Sequence, residues 1–158
     1  MVTMNQGHEK KGAALITMTH RGIAAALHVA ENLMHAHIFA LATRAGKPEV
    51  SAAAAVTWIE PPLSAHIEHI LAHHDPVIFF AALGATVRLI APHLHDKQTD
   101  SAVLAVDEGH RYVLPVVSGH QGGANRWAGQ VAELLHAQAI ITTASDAMGL
   151  LPVDILGR

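Results

Sequence analysis

The segment 118–126, SGHQGGANR, carries the residue types best suited to chemistry in this chain. Two adjacent glycines lead into a helix-like pattern, so the backbone amides of the first helical turn would be accessible to an anion. Ser118, His120 and Asn125 add side-chain donors and acceptors. A simple strand-to-helix turn, with glycine for close packing and Ser or Asn as a helix cap, accounts for the same residues. The pattern alone leaves both interpretations open.

His120 is the candidate for acid–base catalysis among the 14 histidines. Its neighbours form a turn that could bind a ligand, and histidine titrates near neutral pH. His66, His69 and His73 have the spacing of a stripe on one helix, which can bind zinc or nickel. They lack a carboxylate or an open-site signature such as HExxH. We therefore interpret that stripe as a solvated flank and predict no protein-bound metal.

A second polar segment lies between residues 84 and 100. Arg88 follows Gly84 by one helical turn, and Lys97 lies between Asp96 and Asp100 on a polar loop. Cations so placed could bind carboxylates through charge-assisted hydrogen bonds. A surface ion-pair network, which contributes little to stability, accounts for the same pattern equally well.

The elements that position these residues alternate between strand and helix. Apolar runs predict strands, and apolar residues at 3.6-residue spacing predict helices. A hairpin is predicted around the DEGH turn at 107–110, and one helix must end or kink at Pro92. The strands are predicted at 13–18, 37–43, 75–80 and 138–145, and the helices at 23–34, 63–74, 84–94 and 122–137; 51–62 is ambiguous.

This alternation predicts an α/β fold, a three-layer helix–sheet–helix sandwich with a mainly parallel sheet and one hairpin. Residues 1–12 are expected to form a flexible N-terminus, and 13–158 a single domain. Ligands of open α/β sheets bind at the carboxyl ends of the strands. Three polar segments follow predicted strands, at 17–22, 79–88 and 118–126. We expect the third segment and Arg88 to line one carboxylate-binding crevice.

Composition excludes several function classes. The chain has no cysteine, which rules out disulfides and thiolate chemistry, and its net charge of −3 offers no general attraction for nucleic acid. No apolar run is long enough to span a membrane, so we expect a cytoplasmic protein. The GxSxG, GxxxxGK[ST] and GxGxxG motifs are missing, which disfavours serine hydrolases and common nucleotide enzymes.

Five motifs follow one another between residues 83 and 146: GATVRLIAP, DKQTDSAV, VDEG, SGHQGGAN and ITTASD. In this order they resemble the CbiG family, the cobalt-precorrin-5A hydrolases of cobalamin biosynthesis. The opening strand and helix resemble the family more loosely, and residues 44–62 match poorly. The resemblance implies a cobalt-containing corrinoid substrate whose δ-lactone is opened with water, releasing acetaldehyde and giving cobalt-precorrin-5B.

A corrinoid with many carboxylates requires cations and backbone amides around it. His120 or Asp146 could activate the water, and preorganised donors would stabilise charge on the lactone oxygen. Cobalt belongs to the substrate, so no cofactor is expected. The candidate substrate-binding residues are Gly84, Arg88, Lys97, Ser118, Gly119, Gly122, Gly123, Asn125 and Arg126.

The resemblance also implies a C-terminal domain that this sequence is expected to lack. The chain would then be a fragment, a fusion piece of a precorrin methyltransferase, or a subunit with a separate partner; a homodimer is compatible with its size. A non-catalytic corrinoid-binding module is the main alternative. A phosphate- or nucleotide-binding domain that uses the turn at 118–126 is a third interpretation.

Overall fold

A mostly parallel sheet forms the centre of the protein. The computed structural model describes residues 12–42, 55–118 and 123–143, and within them the sheet has seven strands. Their spatial order is β3-β2-β1-β4-β5-β6-β7. In chain order they are β1 (Ala14–Thr17), β2 (His37–Leu41), β3 (Val56–Ile59), β4 (Val77–Phe80), β5 (Val103–Val106), β6 (Tyr112–Val117) and β7 (Gln138–Ala139).

Helices cover both faces of the sheet. They are α1 (His20–Glu31), α2 (Ser64–His73), α3 (Leu83–Ile90) and α4 (Ala124–Leu135). α1 and α4 pack on one face, against a core that includes Leu15, Ile38, Ile78 and Leu104. α2 and α3 pack on the other face, against Ile16, Val77, Phe79 and Val103. This arrangement confirms the predicted three-layer sandwich.

Local sequence explains where two of the helices begin or end. Thr19 caps α1, since its hydroxyl oxygen accepts a hydrogen bond from the Gly22 amide at 3.0 Å. α3 ends at Ile90, and a 3-10 turn, Ala91–His93, contains Pro92, as expected for a residue that cannot continue a helix. No helix in the described ranges is both long and apolar enough to cross a membrane.

The β5–β6 hairpin reverses the direction of the last two strands. β1 to β5 pair in parallel, β5 and β6 pair antiparallel, and β6 and β7 are parallel again. We call the edge where β1 to β5 begin the amino edge, and the edge where they end the carboxyl edge. β6 and β7 therefore end at the amino edge. The predicted last strand is shorter than expected: β7 ends at Ala139, and the Ile140 amide makes one more bond to β6, to the Val113 carbonyl at 2.9 Å.

This reversal corrects one expectation from the sequence. The segments that begin at 17 and 79 lie at the carboxyl edge, but the segment after Val117 lies at the amino edge, because Val117 pairs with Val103 at the start of β5. The three polar segments therefore do not share one edge. The third still follows the carboxyl end of its own strand, in the parallel unit β6–α4–β7, where ligands are commonly bound.

The hairpin turn is organised by the carboxylate of Asp107. Its Oδ1 accepts the amides of Arg111 and Tyr112 at 2.7 and 2.6 Å, and its Oδ2 accepts the amide of Gly109 at 3.0 Å. Burial alone would raise the pKa of Asp107. The hydrogen bonds from Tyr112, Arg111 and Gly109, together with the charge of Arg111, outweigh that effect and lower the pKa below its ordinary value.

Replacing Asp107 with asparagine is expected to lower the free energy of unfolding by about 1–2 kcal/mol at pH 7, because one charged acceptor becomes a neutral one. A lowered pKa stabilises the fold above the unfolded-state pKa, and that stability is lost as pH falls through the folded-state pKa. The difference between wild type and Asp107→Asn should therefore shrink in acid. Urea unfolding at pH 7 and pH 3 measures it, and the exposed neighbour substitution Glu108→Gln should change stability by less than about 0.5 kcal/mol.

Candidate functional site

Ser118 and Gly123 bracket the glycine-bearing turn at the amino edge. Both have a left-handed backbone, with φ of 57° and 78°. The Ala124 amide donates to the Ser118 carbonyl at 3.2 Å, so the two ends of the turn are held together. The candidates Gly119, His120 and Gly122 lie between them, outside the described residues, and Asp146 also lies outside them.

Arg126 folds back toward the start of α4. A Cβ added to Gly123 would lie 3.8 Å from an Nη atom of Arg126 and 3.9 Å from the Trp127 ring. The guanidinium carbon stands 5.7 Å from the Trp127 ring centroid, a cation–π distance. In the described residues, Gly123 provides no side-chain cap for the α4 amides. An exposed cation therefore lies beside the start of α4, where the helix dipole also favours an anionic group.

Asn125 connects the first turn of α4 to the segment after β7. Its Nδ2 donates to the Thr143 hydroxyl at 2.8 Å. Since β7 runs parallel to β6, Thr143 also lies toward the amino edge. The structure thus brings together Ser118, Gly123, Asn125 and Arg126 with the end of the ITT motif.

The loop from His95 to Asp100 lies against this turn. The Ser118 hydroxyl donates to the Asp100 carbonyl at 3.1 Å. The Asp100 carboxylate accepts the amides of His95 and Asp96, with shortest distances of 2.9 and 3.1 Å. These bonds hold the loop that carries the exposed Lys97. The structure therefore places Lys97 in a loop that directly contacts the turn at Ser118.

A cavity of about 330 Å³ opens beside the same loop. Ser101 closes one side, because its hydroxyl donates to the carbonyls of Leu71 and His74. Sequence reasoning missed this cavity, since its walls come from the end of α2 and from a loop more than twenty residues later. Its lining residues are Glu68, Leu71, Ala72, His93, Leu94, His95, Thr99, Asp100 and Ser101. We call the turn, the loop and this cavity the amino-edge site.

Two predicted binding residues lie on α3, away from the turn at Ser118. Gly84 is exposed in the first turn of α3, which begins at the carboxyl edge. Arg88 is exposed in the last turn of the same helix, and α3 packs on the opposite face of the sheet from α4. The sheet therefore lies between α3 and α4, and a crevice shared by Arg88 and the glycine turn stays a prediction.

A family model described as cobalamin synthesis G N-terminal matches residues 65–146, slightly more than half of the 158 residues. The chain belongs to this family. The matched segment contains every described residue of the amino-edge site, from Glu68 to Thr143. Membership in the CbiG N-terminal family confirms the resemblance found in the sequence motifs.

Curated relatives in the CbiG family match the same share of the chain. A cobalt-precorrin-5A hydrolase from Priestia megaterium is 49% identical over 82 residues, which are 52% of this chain and 22% of the relative. One from Salmonella typhimurium is 41% identical over 83 residues, 52% of this chain and 24% of the relative. The aligned residues therefore span about a quarter of these relatives.

A solved structure supports the fold over a longer part of the chain. The crystal structure of a protein described as a cobalamin biosynthesis protein G homolog from Sulfolobus solfataricus superposes with a TM-score of 0.60 and 23% identity. The match covers 83% of this chain and 36% of that protein. At this identity the likeness supports the α/β fold and nothing more specific.

Proposed function

We propose that the chain supplies the N-terminal part of a cobalt-precorrin-5A hydrolase in cobalamin biosynthesis. Water adds to the δ-lactone of the corrinoid, and the lactone C–O bond breaks to give a carboxylate and an alcohol. The carbon–carbon bond between the alcohol-bearing carbon and the macrocycle then breaks with its electron pair left on the macrocycle, and the two-carbon fragment leaves as acetaldehyde to give cobalt-precorrin-5B. The observation that carries this proposal is the 49% identity to a hydrolase of that name across a segment of 82 residues.

The amino-edge site suits such a substrate. Arg126 and the positive end of the α4 dipole can receive a carboxylate or the oxyanion of an opening lactone. Lys97 adds a second cation on the adjoining loop. The 330 Å³ cavity has room for a side arm of the macrocycle rather than for the ring itself, since small-molecule pockets begin near this volume. His120 and Asp146 are the proposed bases.

An acetaldehyde assay tests this function. The chain is mixed with a separately produced C-terminal part of the Priestia megaterium relative and with cobalt-precorrin-5A. Acetaldehyde is then measured with a coupled alcohol dehydrogenase. We expect one acetaldehyde per corrinoid consumed, and none above background from either polypeptide alone. Tight corrinoid binding without any acetaldehyde would contradict the hydrolase and favour a non-catalytic corrinoid-binding module.

Replacing Asn125 with alanine is expected to slow acetaldehyde release about tenfold. Loss of its hydrogen bond to Thr143 lets the first turn of α4 move, and small displacements of positioned groups lower the rate. The effect should fall on kcat more than on KM. Asn32→Ala is the matched control, since Asn32 also donates its amide, to His28 O at 2.9 Å, but at the end of α1. Equal rates in both variants would remove Asn125 from the site.

A further inference from the structure

One end of the sheet is covered by a helix on only one of its faces. α4 packs on β5, β6 and β7 on the first face, whereas α3 packs on β5 and β6 on the second. α2 connects β3 to β4 and α3 connects β4 to β5, so α2 lies on the β4 side of α3. Among the described elements, no helix therefore lies beyond α3 over β7 on the second face.

The flank of α3 that faces this end of the sheet is apolar. Leu83 and Val87 lie one turn apart on the same flank and are 44% and 43% exposed. Leu89 lies on the opposite flank, where it packs against the core that also contains residues of α2. Since α2 lies on the flank of Leu89, the flank of Leu83 and Val87 faces β6.

The sheet surface beside this flank is apolar as well. Tyr112 and Leu114 point to the α3 face, because Val113 between them packs in the core under α4. Ile140 follows Ala139, which pairs with Val113 and packs on the α4 face, so Ile140 also points to the α3 face. Tyr112 is 39% exposed, and Leu114 and Ile140 are only partly buried. We call the following set the apolar strip: Leu83, Val87, Tyr112, Leu114 and Ile140.

The length of the relatives indicates what covers the apolar strip. The aligned residues are 22% and 24% of two curated hydrolases, and the solved homolog is matched over 36% of its chain. Most of each relative therefore lies outside the shared segment. The amino-edge site also requires a second wall, since its 330 Å³ cavity takes a side arm and not a macrocycle. Strand β6, which carries part of the strip, ends next to Ser118 in that site.

We propose that the apolar strip is the docking surface for the C-terminal part of the hydrolase. Exposed apolar patches of this kind are typical of contacts between proteins or domains. The docked face is itself apolar, because the strip has no charged side chain that could pair with an acidic or basic one. Once docked, this part extends along β6 to the amino edge and forms the opposite wall of the corrinoid site. The inference rests on the proposed function for the identity of the partner.

Co-expression tests the docking surface. The full chain is produced together with the C-terminal part of the Priestia megaterium relative and purified through a tag on that part. We expect a 1:1 complex in size-exclusion chromatography. Leu83→Glu and Val87→Glu should each weaken binding about tenfold or more, because a carboxylate would be buried in an apolar contact. Met34→Glu is the matched control and should bind like the wild type, since Met34 is 83% exposed outside the strip.

Failure of the wild-type chain to form this complex, or strip variants that bind as tightly as Met34→Glu, would overturn the proposal. Two further results would also overturn it. A dimer of the chain alone that is lost in Val87→Glu would assign the strip to a second copy. Amide shifts at Val87 and Leu114 caused by Leu151→Asp would assign it to the C-terminal residues of the chain itself. A complex that forms as expected but releases no acetaldehyde would support the docking surface and count against the hydrolase function alone.

Discussion

The substitution His120→Asn is expected to slow acetaldehyde release about 100- to 10,000-fold, the usual contribution of a general base. Opening the lactone requires a base that removes a proton from water, and a histidine is suited to this near neutral pH. His120 lies between Ser118 and Gly123 in the chain, and those residues adjoin the Arg126 guanidinium and the amides of α4. The base would therefore act beside the groups that receive the developing negative charge.

The control for His120→Asn is His136→Asn, at the other end of α4. It should leave the rate within about twofold, since surface changes away from a site have small effects. The rate of the wild type should fall in acid as the base becomes protonated. The pH–rate profile of His120→Asn should lack this decrease. If His120→Asn retains the wild-type rate and Asp146→Asn loses it, the aspartate is the base.

The substitution Gly22→Ala is expected to destabilise the fold by about 2–4 kcal/mol. The added methyl group would lie 2.3 Å from the Thr17 hydroxyl, closer than non-bonded atoms approach, and 3.1 Å from the Thr19 hydroxyl, which is also a tight contact. Thr17 is 1% exposed and its hydroxyl donates to the Thr19 carbonyl at 3.2 Å. The helix can accept the methyl group only by breaking this bond or by moving α1 away from the sheet.

Gly129→Ala provides the matched control in another helix. A Cβ at Gly129 meets nothing within 4 Å, so this change should stabilise α4 by about 0.5–1 kcal/mol through helix propensity. Denaturant unfolding of the two variants measures the difference. The double variant Thr17→Ala with Gly22→Ala should recover part of the loss, because the clashing hydroxyl is gone. Similar stabilities for both glycine variants would refute the close contact.

Local patterns predicted the elements of this fold well. The apolar runs before Thr17 and Phe80 are buried strands, Pro92 ends α3, and the DEGH turn forms a hairpin. These features depend on residues within a few positions of each other. The first helix was predicted to extend to residue 34, but α1 ends three residues earlier, at Glu31, and Met34 is 83% exposed.

The site was harder to predict because it depends on long-range arrangement. The hairpin was predicted, yet its consequence for Ser118 follows only from the pairing of Val117 with Val103. The separation of Arg88 from Arg126 depends on which face each helix covers, and local periodicity carries no such information. The Phe80 contacts of Gly22 and His110 join residues 58 and 30 positions away along the chain, which no motif spacing could reveal.

Because the strand direction reverses at β6, this strand runs from the carboxyl edge of the sheet to the amino edge. Strand β6 starts beside the Asp107–His110 turn and ends at Val117, next to Ser118, so one six-residue strand links the hairpin turn at the carboxyl edge to the residues of the amino-edge site.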